Sequence, residues 1–89
     1  MLYQVNKEMV HTQVDETTLS AFNPKTGDVY FFDAQGIEIL RLLGKPCSLE
    51  GLLLELCEVY EASIDAIKID VEEFLAEAIE NKIVVELPS

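Results

Sequence analysis

The sequence has few basic residues and no long apolar run. Its 89 residues include 6 Lys and Arg against 17 Asp and Glu, which gives a formal net charge of −11. Nucleic-acid binding draws most of its affinity from Lys and Arg, so this balance argues against DNA, RNA and anionic membranes as partners. No apolar run of about 18 residues is present, hence we expect no membrane span. The N-terminus lacks the basic and apolar pattern of a signal peptide, so we expect a cytoplasmic location.

Groups that carry catalysis or bind metals are also scarce. The two cysteines, Cys47 and Cys57, have a spacing that fits neither a zinc site nor a redox pair, so we expect buried free thiols. The single histidine, His11, lies among Thr and Gln and is expected to face solvent. There is no Gly-rich phosphate loop and no nucleophile motif. We therefore predict a protein without enzymatic activity, metal or cofactor.

The first third of the chain has the pattern of antiparallel strands. Residues 10–14 alternate between apolar and polar types, which predicts a half-buried strand. Residues 17–22 predict a second strand, and the turn sequence Asn23–Gly27 separates it from a third over Asp28–Phe32. Residues 2–8 are ambiguous between a frayed end and a short strand. Two successive hairpins imply a three-stranded antiparallel sheet.

The third predicted strand is apolar on both faces. Val29 and Phe31 point one way, whereas Tyr30 and Phe32 point the other. A sheet with one solvated face does not have this pattern, so either helices or a ligand must cover the second face. The strand contains no proline and no internal charge, the usual protections of an exposed edge.

Three helices are predicted in the remainder. Asp33 is a suitable N-cap for a first helix that ends at Gly44. Pro46 and Ser48 open a second helix, whose amphipathic face extends from Leu49 to Tyr60. Ser63 or Asp65 caps a third helix, which ends at Asn81–Lys82. Residues 83–85 form a short apolar strand or tail. We predict one α+β domain over residues 1–89, similar to a winged helix-turn-helix, with a three-stranded antiparallel sheet followed by three helices.

The order of these signals resembles the PqqD-like family. The similarity is carried by an aromatic strand, Thr26–Asp33, a first helix over Gly36–Gly44, and a Leu-rich segment over Pro46–Tyr60. It continues through Asp-Val-Glu-Glu-Phe-Leu at residues 70–75 and Asn-Lys-Ile-Val at residues 81–84, where Lys82 stands at a position that is often Gly in the family.

The resemblance implies a recognition element for ribosomally made, post-translationally modified peptides. The leader of a precursor peptide would add as a strand to the third predicted strand and lie against the third helix. A radical SAM protein, leader peptidase or cyclase would be the partner enzyme. The expected peptide-binding residues, drawn from both elements, are Asp28, Val29, Tyr30, Phe31, Phe32, Asp33, Lys68, Ile69, Glu72, Glu73 and Ala76.

Two other functions remain open from the sequence. A winged-helix DNA-binding regulator would have a similar fold, although its third helix would need exposed Arg, Lys, Asn or Gln. An interaction subunit with an unknown partner would need no special site.

Overall fold

The computed structural model describes residues 1–88 and has the predicted α+β, winged helix-turn-helix-like fold. The strands are β1 (Leu2–Val5), β2 (Val10–Asp15), β3 (Thr18–Phe22), β4 (Val29–Phe32) and β5 (Val84–Leu87). The helices are α1 (Ala34–Leu42), α2 (Leu49–Tyr60) and α3 (Ile64–Glu80). The third strand predicted from the sequence is thus β4.

The ambiguous N-terminal segment is a strand in a second, two-stranded sheet. β1 runs antiparallel to β5, with Leu2 opposite Leu87 and Val5 opposite Val84. On the other side of β1, Tyr3 exchanges backbone hydrogen bonds of 2.8 and 3.0 Å with Cys47. The partners of β1 are therefore all distant in sequence, which is why local pattern does not reveal this strand.

The three-stranded sheet has the order β2-β3-β4. The β3–β4 hairpin closes through Asn23, whose carbonyl accepts from the Gly27 N–H at 2.7 Å. Gly27 has φ +82°, a left-handed conformation that glycine adopts without steric cost. The Asn23 N–H also donates to the Asp28 carbonyl, so Gly27 and Asp28 both lie opposite Asn23. This arrangement is a β-bulge, and it sets the register of the hairpin.

The orientation of β2 differs from the sequence-based prediction. Val10 and Val14 face outward and are 51% and 56% exposed. His11, predicted to face solvent, is instead half-buried on the inner face beside Ala21. Its buried Nε2 atom has no hydrogen-bond partner in the described structure, and desolvation lowers the pKa of the imidazole below its ordinary value.

Helix starts follow the predicted caps. The Asp33 carboxylate accepts from the Gly36 N–H at 3.0 Å, and the Ser48 hydroxyl accepts from the Gly51 N–H at the same distance. Ser63 caps α3 by position, without a side-chain bond.

The end of α3 is a Schellman motif. The Ile83 N–H donates to the Ala78 carbonyl at 2.8 Å, and the Lys82 N–H donates to the Ile79 carbonyl at 3.1 Å. Lys82 occupies the left-handed position of this motif with φ +64°. The geometry explains why glycine is suited to this position and why lysine there is strained.

The core lies between the helices and both sheets. Its largest fully buried side chains are Leu43, Leu52, Leu56, Val71, Ile83 and Val84. Burying each contributes about 1.5–3 kcal/mol to folding. Cys47 and Cys57 are free, as expected, but half-buried rather than buried. Over residues 1–88, no helix combines the length and apolarity needed to cross a membrane.

Candidate functional site

Strand β4 lies at one edge of its sheet, paired within the described chain only with β3. At the hairpin end, the Asn23 N–H donates to the Asp28 carbonyl at 2.9 Å. Bonded and non-bonded pairs alternate along an antiparallel ladder. Tyr30 and Phe32 therefore direct their backbone N–H and C=O groups toward β3.

The alternation assigns the opposite direction to Val29 and Phe31. Their backbone N–H and C=O groups point away from β3, toward the free edge. An extended peptide could bond to these groups and become a fourth strand. This edge has neither proline nor an internal charge to prevent pairing.

A groove of about 370 Å³ runs between the free edge and α3. Its lining comprises the whole of β4 and residues from the second half of α3 and the following turn: Val29, Tyr30, Phe31, Phe32, Phe74, Glu77, Ala78, Asn81 and Ile83. Phe32 and Phe74 pack with ring centroids 5.8 Å apart and planes tilted by 59°. The groove can therefore take apolar side chains from a strand placed along β4.

Glycine at position 36 allows the aromatic pair to pack against α1. A Cβ atom added to Gly36 would lie 3.1 Å from the Cβ of Phe32 and 3.3 Å from the ring of Phe74. These distances are shorter than ordinary van der Waals contact, so a side chain here would displace the wall of the groove.

Glu77 is the only charged residue among those lining the groove. It gives the groove a negative character that matches the net charge of the chain. A Lys or Arg near Glu77 would be favoured, although an exposed ion pair contributes only about 0.2–1 kcal/mol. For a peptide in this groove, apolar contacts should therefore contribute more to affinity than the ion pair does. The charge of Glu77 should mainly influence the orientation of the peptide.

The predicted site residues on the strand side lie together. Val29, Tyr30, Phe31 and Phe32 all line the groove. Asp33 lies next to it as the cap of α1 and borders a smaller depression of about 160 Å³ that also includes Phe74. Asp28 lies at the hairpin end of β4.

The predicted residues on α3 are not brought together at the groove. Glu72 and Ala76 line a separate depression, with Tyr3 and Leu49, on another side of the helix. Lys68 precedes Glu72 by one turn on that same helical row, so it also faces away from the groove.

Ile69 and Glu73 are placed differently from the other predicted α3 residues. They lie on the i, i+4 row that continues to Glu77 and Asn81, at the margin of the groove. Ile69 is 67% exposed, so it lies off the buried stripe of α3.

The sequence did not identify the groove-lining residues Phe74, Glu77, Ala78, Asn81 and Ile83. Phe74 and Ala78 belong to the apolar stripe of α3, which predicts core packing and gives no separate signal for a groove. The sequence pattern does not distinguish the residues of this stripe that pack in the core from those that line the groove beyond the edge of the sheet.

The other edge of the sheet, β2, is less suited to strand addition. Its register shifts between Gln13 and Asp15, and such a bulge twists an edge and interrupts pairing. A depression of about 230 Å³ beside it contains His11 and Arg41. The uninterrupted β4 edge is therefore the better candidate.

The described residues contain no cluster of three or more His, Cys, Asp or Glu side chains placed to hold a metal ion. Fold and groove together define a small winged helix-turn-helix-like protein with an open strand edge.

Comparison with known proteins identifies the family. The model of the family described as coenzyme PQQ synthesis protein D (PqqD) matches residues 19–84, and the chain belongs to this family. A solved structure described as "TbiB1 in Complex with the TbiA(beta) Leader Peptide" has the same fold, with a TM-score of 0.80. It is 20% identical in sequence, and the alignment covers 97% of this chain and 99% of that one. No curated protein sequence matches the chain.

Proposed function

We propose that this protein is a non-catalytic peptide-recognition domain that binds the leader segment of a ribosomally made precursor peptide. The leader adds as a strand to the free edge of β4, and its inward side chains enter the groove beside α3. The observation that carries the proposal is that Val29 and Phe31 direct their backbone groups outward beside a groove whose lining is mostly apolar and aromatic residues.

Membership of the PqqD family supports this function. The similar fold of TbiB1, a protein whose solved structure is a complex with a leader peptide, adds support. We further propose that the bound leader is presented to a modifying enzyme, either a radical SAM protein, a leader peptidase or a cyclase.

The positions of the groove-lining residues support a revised set of proposed contacts. We propose that Val29 and Phe31 supply the backbone bonds and that Phe74, Ala78 and Ile83 form the apolar floor. Glu73 and Ile69 extend the groove margin toward the start of α3. Lys68, Glu72 and Ala76 are omitted because of their position on the helix.

A DNA-binding role is poorly supported. In a winged helix-turn-helix, the third helix enters the major groove and needs basic or amide side chains at its exposed face. Here α3 exposes one basic residue, Lys68, and a set of acidic residues: Asp65, Asp70, Glu72, Glu73, Glu77 and Glu80. These carboxylates would repel phosphates.

The proposal is tested by titrating the isotope-labelled protein with the N-terminal segment of each short open reading frame that lies beside its gene. We expect a Kd in the micromolar range or tighter, about −8 kcal/mol or more favourable. Amide resonances of β4 and of residues around Phe74 and Ala78 should shift, whereas a scrambled leader should leave them unchanged. Shifts confined to β2 or α2 would contradict the assignment.

A further inference from the structure

The outer face of the three-stranded sheet carries apolar side chains that no other described part of the chain covers. Val10, Phe22 and Val29 are cross-strand neighbours in one row, since Phe22 is opposite Val10 on one side and Val29 on the other. Phe31 lies on the same face, opposite Ser20. Val29 is 49% exposed and Phe31 is 68% exposed.

The two exposed residues of β4 are also those with free backbone groups. A strand that bonds to Val29 and Phe31 must place the residues directly opposite them on the outer face, because paired side chains share a face. The peptide residue between them lies opposite Tyr30 and faces the groove. Strand addition at this edge therefore brings peptide side chains to both faces of the sheet.

We propose that the outer surface of Val29 and Phe31 is a second side-chain subsite for the bound peptide. It takes bulky apolar or aromatic residues at peptide positions i and i+2, while the residue at i+1 enters the groove. The substrate class is thus a segment that is apolar on both of its strand faces. This inference rests on the proposed function, since it requires a peptide at the β4 edge.

The surroundings of Phe31 support this subsite. Its neighbour within the sheet is the small polar residue Ser20, so the ring has no apolar partner across that pair. The free edge is the other side of the strand, and a residue placed there would lie about 4.5–5.5 Å away between Cβ atoms. An aromatic or branched side chain at that point would cover the ring and gain apolar contact area.

A second copy of the chain is a poorer occupant of the same edge. Asp28 and Asp33 bracket β4, so antiparallel pairing of two β4 strands would bring the Asp28 of one copy near the Asp33 of the other. Each copy also carries a net charge of −11, which opposes close association. A less acidic peptide has no such penalty.

The test uses a displayed library of randomised short peptides, selected separately on the wild-type protein, Phe31→Thr and Val10→Thr. Threonine keeps the preference for strand structure, so both variants should fold. Val10 lies on the same face at the opposite edge and is the matched control. Peptides selected on the wild type should carry bulky apolar residues at two positions separated by one.

For those peptides, we expect Phe31→Thr to weaken binding about three- to tenfold, the scale of one aromatic cross-strand pair. Peptides selected on Phe31→Thr should no longer prefer a bulky apolar residue at one of the two outer positions. They should keep the residue preference at the position that enters the groove. Val10→Thr should behave as the wild type does.

The outcomes separate this inference from the proposed function. If selected peptides shift the Val29 and Phe31 amides but bind Phe31→Thr with wild-type affinity, strand addition stands and the outer subsite is overturned. If no selected peptide shifts these amides, both are overturned. A wild-type dimer that Phe31→Thr dissociates would assign the outer face to self-association and overturn the subsite.

Discussion

Proline substitutions at two adjacent positions of β4 should have opposite consequences. Tyr30→Pro and Phe31→Pro each remove one backbone N–H, but the register directs the first toward β3 and the second toward the free edge. The alternation of bonded pairs therefore makes Phe31→Pro, and not Tyr30→Pro, the change that removes a donor from the free edge.

The magnitudes follow from which bond is lost. Tyr30→Pro breaks a ladder bond to Ala21, which is fully buried, and should destabilise the fold by about 1–3 kcal/mol. In a domain of this size, each kcal/mol lowers the Tm by about 4–8 °C. Phe31→Pro removes an N–H that the fold does not use, so the free energy of unfolding should fall by less than about 1 kcal/mol.

Binding should show the reverse order. Phe31→Pro should bind the leader peptide about tenfold more weakly than Phe31→Ala does. Phe31→Ala is the reference because it also loses the ring but keeps the backbone N–H. Thermal unfolding and calorimetric titration of the three variants measure both effects. If Phe31→Pro unfolds the domain while Tyr30→Pro does not, the assignment of backbone directions is wrong. Equal affinity of Phe31→Pro and Phe31→Ala would exclude the β4 edge as the binding site.

Three further predictions concern pH, strain and charge. Desolvation lowers the pKa of His11 in the folded state below the unfolded value of about 6.5, so the unfolded chain binds more protons in this pH range. The free energy of unfolding should therefore fall as the pH drops from about 7 to 5.5. Urea titrations should show a smaller dependence on pH for His11→Gln. Lys82→Gly should raise stability by about 1 kcal/mol, measured by denaturant midpoint, because Lys82 has φ +64°; an unchanged midpoint would show that the position is unstrained. Glu77→Gln should lower the affinity for a basic peptide by less than about fivefold and make that affinity less dependent on salt concentration. Glu72 lies outside the groove, so Glu72→Gln should change neither.

Local chemistry was sufficient to predict most elements of the fold. The caps at Asp33 and Ser48 mark helix starts because their side chains accept from nearby backbone N–H groups. The turn at Gly27 is specified by its left-handed φ. The pattern of residues 29–32 correctly indicated a strand, whose side chains are alternately exposed and half-buried.

The failures are all matters of tertiary arrangement. Strand β1 exists because β5 and Cys47 supply partners from the far end and middle of the chain. Its own residues carry no strong strand pattern. The outward direction of Val10 follows from the register with Phe22, which local alternation does not determine.

The packing of α3 changes the proposed site more than any other element does. The sequence predicted that one face of α3 contacts the peptide, with the residues Lys68, Ile69, Glu72, Glu73 and Ala76. Packing instead turns Phe74 toward β4 and Glu72 toward β1. A helix with a wide apolar stripe permits several rotations, and neighbouring elements select among them.

The groove and the core are continuous, and this explains why sequence assigns the groove residues to the core. Ala78 and Ile83 are 3% and 1% exposed, while Phe32 and Phe74 beside them are only half-buried. A further strand alongside β4 would cover these rings and pair the outward backbone groups in one step. Without such a strand, the three-stranded sheet leaves these two rings partly exposed at its free edge. A bound peptide would therefore complete the sheet and the core together, and its affinity should depend on apolar side chains and backbone bonds acting jointly.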